Sequence, residues 1–303
     1  MYDIALSVAA CVRSRTRAVV AWAVSGHFAD EALVFTPGGG RIGSLADGAF
    51  DGLLADIAAR RLPAGRLVLH RVSEIESESC GLPAGSSAAF AVVPADQFPL
   101  GLWPRLLRRE PVVLRAARAG ESITTVTMDA GGGSADLGDE PHRRLIDQGE
   151  SVCIVGDDEI ITVLVPTTRL VVAGGGPITE ALVAQGRLLG WKVSSESRAD
   201  LVAGLVAGLS WMDAVVVLGH DVESSSRSLM AALESDVGYL GSVGSAAMQR
   251  SRADWLAYRD VTDLSRVHGP AGLDLGARSP AEVAVSIVAQ ILRGRNQASV
   301  PES

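Results

Sequence analysis

The run Leu170-Val-Val-Ala173-Gly174-Gly175-Gly176-Pro177-Ile178-Thr179 decides the fold. Four apolar residues of strand character end in three glycines, a helical stretch follows from Glu180 to Leu189, and a second strand-like run ends near Ser195. Strand, tight glycine turn and helix in that order open a βαβ unit with parallel strands. Glycines at 174 and 176 permit the turn and let backbone N–H groups approach a phosphate at the helix start. Glu196 falls 20 residues after Gly176, where an acid accepts hydrogen bonds from a ribose diol. Two features depart from the usual dinucleotide turn. Thr179 stands where a third glycine normally lets helix and strand pack closely, and Pro177 has no N–H to give a phosphate. The turn reads either as a phosphate or nucleotide site or as a plain strand-to-helix connection.

Towards the C-terminus, short β-branched runs alternate with amphipathic stretches. Strands are expected at Leu170 to Ala173, Lys192 to Ser194, Ala214 to Leu218 and Gly238 to Leu240, all parallel and central. The last helix is announced by Ser279-Pro280-Ala281-Glu282, in which Ser279 caps, Pro280 suits the first helical position and Glu282 completes a capping box. Its apolar face is Val283, Ile287 and Ile291. Ligands of open α/β sheets bind beyond the carboxyl ends of the strands, so the residues that follow each strand matter. Ala214 to Leu218 leads into Gly219-His220-Asp221, where His220 is a phosphate donor or acid/base candidate. Gly238 to Leu240 leads into Gly241-Ser-Val-Gly244-Ser245, a second glycine nest of N–H groups for an anion. The Gly174 turn, Glu196, His220 and the Gly241 to Ser245 loop are expected to converge on one crevice.

Towards the N-terminus the pattern changes near residue 165, which divides the chain into 1–165 and 166–303. The first part mixes strand-like runs at Ala18 to Val24, Ala32 to Phe35, Arg66 to His70 and Ala88 to Val93 with a helical stripe of Phe50, Leu53, Leu54, Ile57 and Ala58. The fold class is α/β: a mixed α+β N-terminal domain followed by a Rossmann-like parallel-sheet domain. Residues 130–141, rich in glycine and acid, read as a loop. At 303 residues and 48% apolar content the chain has enough material for two cores. A net charge of -8 argues against nucleic acid as a partner. Arg13, Arg15 and Arg17, and Arg105, Arg108 and Arg109, read as solvated faces. The longest apolar runs are strand-sized, so no membrane span is expected. Three cysteines without metal spacing fit a reducing, cytoplasmic location. Cys11 and Cys153, in apolar runs, are expected to be buried thiols. Cys80 stands in a polar, turn-like context after Glu74 to Ser79, where the neighbouring acids oppose activation of its thiol.

Taken in order, Gly174 to Pro177, His220-Asp221, Tyr239-Leu-Gly241-Ser-Val-Gly244-Ser245 and Gly272-Leu-Asp274 leading to the capped last helix form a set that resembles the XdhC/CoxI family. In the N-terminal half, Gly43 to Phe50 resembles the family's glycine-rich turn and Cys80-Gly81 its later Cys-Gly-Gly. The resemblance implies an accessory factor that binds the molybdenum cofactor (molybdopterin) and assists its sulfuration or insertion into a molybdenum hydroxylase of the xanthine dehydrogenase or carbon-monoxide dehydrogenase type. It further implies a cysteine desulfurase as a second partner, a homodimer as a candidate assembly, and Cys80 as the residue for metal or sulfur. Several family positions differ: Ala49 stands for a cysteine, Leu82 for a glycine, Pro177 for a histidine, and Ala246-Ala247-Met248 for a basic run. Three readings stay open: the maturation factor, a cofactor-binding chaperone more than an enzyme; an NAD(P)-dependent oxidoreductase with His220 as its sole acid/base candidate; and an inactive adaptor that retains the fold.

Overall fold

The computed structural model describes every residue except 26–30, 130–141, 143, 144, 147 and 298–303, and the side chains up to residue 294, so the loop expected at 130–141 lies outside the described residues. The chain divides into two compact units, Met1–Pro166 and Thr167–Ser303.

The described residues of the first unit form nine strands: β1 (Val19–Ala23), β2 (Ala32–Phe35), β3 (Arg41–Ser44), β4 (Gly65–Arg71), β5 (Ser87–Pro94), β6 (Val112–Ala119), β7 (Ser122–Met128), β8 (Val152–Val155) and β9 (Glu159–Leu164). They form one sheet in the order β3-β2-β1-β5-β4-β7-β6-β9-β8, with antiparallel neighbours throughout. Alternation along β1 separates two cores. Val20 and Trp22 join the core that contains Val8 and Leu102, from the helices Ala5–Arg13 and Leu102–Leu107. Val19 and Ala21 join Phe50, Leu54 and Ala58 on the opposite side, where the helix Asp51–Ala59 packs. That helix carries the stripe from Leu53 to Ala58, with Phe50 as its N-cap residue and a 3-10 turn at Ala46–Gly48 before it. Arg109 is buried, at 8% exposure and with φ +58°, and so does not belong to a solvated face.

The second unit is a doubly wound sheet. Its strands β10 (Arg169–Ala173), β11 (Lys192–Glu196), β12 (Ala214–Val217), β13 (Tyr239–Ser242) and β14 (Val267–His268) run in the order β11-β10-β12-β13-β14, all parallel. Period-2 alternation again makes two faces. Leu170, Val172, Ala214 and Val216 pack with Leu182, Ala284, Ile287 and Ile291, so the helices Pro177–Leu188 and Pro280–Gln297 cover one side. Val171, Ala173, Val215 and Val217 pack with Val202, Val206, Leu229 and Leu256 on the other, under the helices Ala199–Val206, Val222–Leu233 and Ala246–Ala257. Strand β12 is buried throughout. Strand β11 is not central: it is an edge strand, and Lys192, Ser194 and Ser195 are exposed. The expected capping box is present, with Ser279 N donating to Glu282 Oε2 at 2.9 Å and Glu282 N to Ser279 Oγ at 3.3 Å.

Candidate functional site

Register brings the carboxyl ends of four strands level. Ala173 lies opposite Glu196 on one side and Val217 on the other, and Val217 lies opposite Ser242. The chain runs from β10 to β11 in one direction and then returns to β12 on the other side of β10, so the sheet reverses its winding between β10 and β12. Ligands of open α/β sheets bind at that reversal. The glycine turn follows β10, and Gly219 and His220 follow β12.

The two turns touch. Gly174 holds φ +136°, and a Cβ on it would lie 2.8 Å from Leu218 O, so only glycine fits beside that backbone. Its N–H donates to Glu196 O at 2.8 Å, which ties the turn to the end of β11. Gly176 occupies the N-cap at φ 101°, ψ -174°, a region open almost solely to glycine, and Pro177 follows as the first helical residue. Gly175 has open space around its Cα and no positive φ.

Four helices begin at this edge, one after each of β10 to β13, with different caps; the one at Ala199–Val206 has no side-chain cap. Asp221 Oδ1 accepts the N–H of Ser224 at 2.6 Å, and Ser245 Oγ accepts that of Met248 at 3.3 Å. The helix Pro177–Leu188 has no side-chain cap, so its first N–H groups are not met by its own capping residue. Just inside it, Thr179 Oγ1 is buried without a hydrogen-bond partner. A helix start lined by glycine and free of a capping side chain receives an anionic group through backbone N–H groups and the helix dipole.

The structure brings Gly174, Gly175, Gly176, Glu196, His220, Gly244 and Ser245 to one sheet edge. Glu196 takes the N–H of Arg198 on Oε1 at 2.9 Å, and His220 is exposed, not turned into the core. Gly241 does not belong to the loop. It is a buried residue of β13, paired with Val216 and His268, and a Cβ there would lie 2.8 Å from the Tyr239 ring. Its absent side chain serves packing, and the nest of N–H groups reduces to Gly244 and Ser245.

Cys80 also differs from expectation. It ends the helix Glu74–Cys80 and is 5% exposed, packed in the core with Phe50, Val72 and Phe90, so its context is apolar. Cys11 and Cys153, expected to be buried, are half-buried. Burial pushes the Cys153 thiol up to about 11, against a smaller opposing effect of the Thr162 hydroxyl. Among the described residues no group of three or more His, Cys, Asp or Glu side chains is placed to hold a metal ion.

Sequence reasoning missed three side chains at or beside this edge. His268 ends β14 and stacks on Tyr239, with ring centroids 4.9 Å apart and planes 9° apart; partial burial, aided by the charge of Arg293, lowers its pKa. A two-residue strand has too little period to be seen in sequence. Gln249 bridges the end of β13, accepting from Ser242 Oγ at 2.7 Å and donating to Ser242 O at 2.8 Å. Arg252 is 1% exposed. The arginine was legible in part, because Met248, Arg252 and Leu256 fall at helical spacing on one stripe, a cation among apolar residues.

Residues 170–291 match the family model described as the XdhC Rossmann domain. YqeB of Escherichia coli K12, itself described as an uncharacterized protein, is 25% identical over 150 residues, which are 43% of this chain and 28% of that one; the aligned stretch thus spans little more than a quarter of YqeB. A crystal structure described as a xanthine dehydrogenase from Bacillus halodurans aligns over 99% of this chain and 98% of its own, at 20% identity and a TM-score of 0.45.

Proposed function

We propose, from the premise that this chain belongs to the XdhC family through the Rossmann domain at residues 170–291, that it is a maturation factor for a molybdenum hydroxylase. In this reading it holds the phosphate end of the molybdenum cofactor at the carboxyl edge of its parallel sheet. The observation that carries the reading is the glycine turn at the winding reversal, with a helix start that has no side-chain cap.

The cofactor is a pterin phosphate whose metal is thiophilic, and the edge fits only part of it. Backbone N–H groups of Gly175 and Gly176 and of the Gly244-Ser245 loop suit the phosphate, and exposed His220 supplies a further donor beside them. For the metal the residues offer no match, since the Cys80 thiol is packed among apolar side chains and no metal-binding cluster stands among the described residues. No sulfur-transfer step is therefore assigned to this chain. Its part is to bind and present the cofactor, with sulfuration left to a desulfurase partner.

The test uses Gly175→Asp, which adds bulk and negative charge where neither a clash nor a positive φ penalises a side chain. Protein recovered from cells that make the cofactor should contain molybdopterin, read as the fluorescence of its oxidised pterin. The variant should lose it while its thermal midpoint stays within about 2 °C, as expected of an exposed substitution away from packed features. Equal pterin in both proteins, or none in the wild type, refutes the reading. Calorimetry with NAD(P) on the same pair tests the oxidoreductase alternative, which requires saturable binding that the substitution removes.

A second reading is favoured by the burial of Cys80 and by Ala49 in place of the family's cysteine: an adaptor that contacts the hydroxylase without carrying cofactor. Under that reading Gly175→Asp still co-purifies with the hydroxylase and still supports its activation.

A further inference from the structure

The carboxyl edge of the second unit is built over a buried cation. The guanidinium of Arg252, on the helix Ala246–Ala257, has five N–H donors. Nε donates to Ser225 Oγ at 2.9 Å, Nη1 to Ser242 Oγ at 2.7 Å and Val243 O at 2.8 Å, and Nη2 to Gly219 O at 2.7 Å. These acceptors come from three segments: the loop after β12, the first turns of the helix Val222–Leu233, and the end of β13 with its loop. One side chain thus ties together the loops that flank the winding reversal on the β12 and β13 side. It also sits close behind Gly244, where a Cβ would lie 3.5 Å from Nη1.

Every one of those partners is neutral. Desolvation disfavours the charged form of Arg252, and among the described residues no carboxylate offsets it. Asp221, the acid of the β12 loop, is exposed and engages the helix start through Ser224 N. Burying a charge is unfavourable unless an opposite charge accompanies it, and an arginine does not lose its proton to escape the cost. A buried guanidinium with neutral partners, placed directly under two glycine-bearing loops that open at a ligand edge, is completed by an anion bound above it.

We propose that Arg252 is the positioning residue of this site and its counter-charge. It holds the Gly219 and Val243 loops in the shape that receives a dianion of the phosphate class, and its charge makes the edge selective for anions. Terminal phosphates of nucleotides and of pterins share that chemistry. The inference rests on the ligand reading above and adds the residue and the sign of charge that govern it.

The experiment is calorimetric titration of the full chain with inorganic pyrophosphate and, in a second arm, with ADP. The variants are Arg252→Lys, which keeps the charge and loses most of the bonds, Arg252→Gln, which loses the charge, and Ser225→Ala, which removes one bond. Pyrophosphate affinity should fall at least about tenfold in Arg252→Gln, as for the loss of a close charge partner, recover part of that loss in Arg252→Lys, which keeps the charge without the loop-tying bonds, and fall less in Ser225→Ala than in Arg252→Gln. Tighter binding of ADP than of pyrophosphate would identify a nucleotide as the source of the phosphate, and equal binding would favour a pterin phosphate. Wild-type affinity in Arg252→Gln, or an equal loss in the lysine and glutamine variants, overturns the proposal while leaving the ligand reading intact. A wild-type chain that binds neither probe overturns both. Should Arg252→Gln fail to fold, amide exchange of the wild type decides: pyrophosphate should slow exchange at residues 219–222 and 243–246, and unchanged exchange there overturns the proposal.

Discussion

At the scale of single residues, the three glycines of one turn are unequally constrained. Gly174 is constrained twice, by its positive φ and by the Leu218 carbonyl, whereas Gly175 is constrained by neither. Gly174→Ala should therefore lower stability by about 1–3 kcal/mol, the range for a strained backbone or an overpacked contact. Gly175→Ala should stay within about 0.5 kcal/mol. Urea denaturation of the two variants checks the contrast, and a neutral Gly174→Ala would contradict the turn geometry. Gly176, strained by conformation but not by crowding, is a poorer probe of binding than Gly175, because its loss mixes folding with function. Cys80 extends the argument to the first unit. Cys80→Ser places a hydroxyl in an apolar core and should cost about 1–3 kcal/mol, while Cys80→Ala should leave retained pterin unchanged if the thiol serves packing alone. Loss of pterin in Cys80→Ala with an unaltered denaturation curve would return a chemical role to this residue.

At the scale of elements, caps set where short helices begin. The helix Glu74–Cys80 starts with a reciprocal box: Ser73 Oγ accepts from Glu76 N at 3.3 Å, and Glu76 Oε2 accepts from Ser73 N at 2.7 Å. The same carboxylate lies 2.9 Å from His70 Nε2 on β4. These contacts, the Ser73 amide first and the His70 side chain second, hold the Glu76 carboxyl at about 2, below its ordinary 4.5. A group whose pKa is lower in the folded state contributes stability above its unfolded value, and that contribution disappears as pH falls from about 4.5 towards 2. The thermal midpoint of the wild type should exceed that of Glu76→Gln at pH 7, and the gap should close over that acid window. A gap independent of pH would mean that the carboxylate charge plays no part. Ser73→Ala should cost about 1 kcal/mol by removing the cap.

At the scale of the whole molecule, two compact units with separate cores meet in sequence at Pro166 and Thr167. The second unit covers both faces of its sheet with its own helices. A fragment of residues 167–303 should accordingly unfold in a single cooperative transition in urea. A fragment without a cooperative transition would contradict a second unit with a core of its own.

The amino-acid sequence by itself determined the parallel sheet and the capped last helix, because each rests on local signals: β-branched runs, a glycine turn, and a Ser-Pro-x-Glu start. It also marked Gly174, Glu196, His220 and Gly244 as residues that follow strands, and parallel strands of one sheet must deliver such residues to one edge. The antiparallel strands β6 to β9 went unread. The pairing of β6 with β9 is non-local, and in Ser122–Met128 only Ile123 and Val126 are buried, so the alternation is broken. Only the tertiary structure decided that Gly241 lies within a strand, where its Tyr239 neighbour leaves no room for a side chain, and that Cys80 is sealed into a core by Phe50 and Phe90. It alone placed Arg252 beneath the ligand edge. Whether a cation is solvated or desolvated depends on what packs over it, and Ser225, Ser242, Val243 and Gly219 meet at that guanidinium only once three segments distant in the chain have folded together.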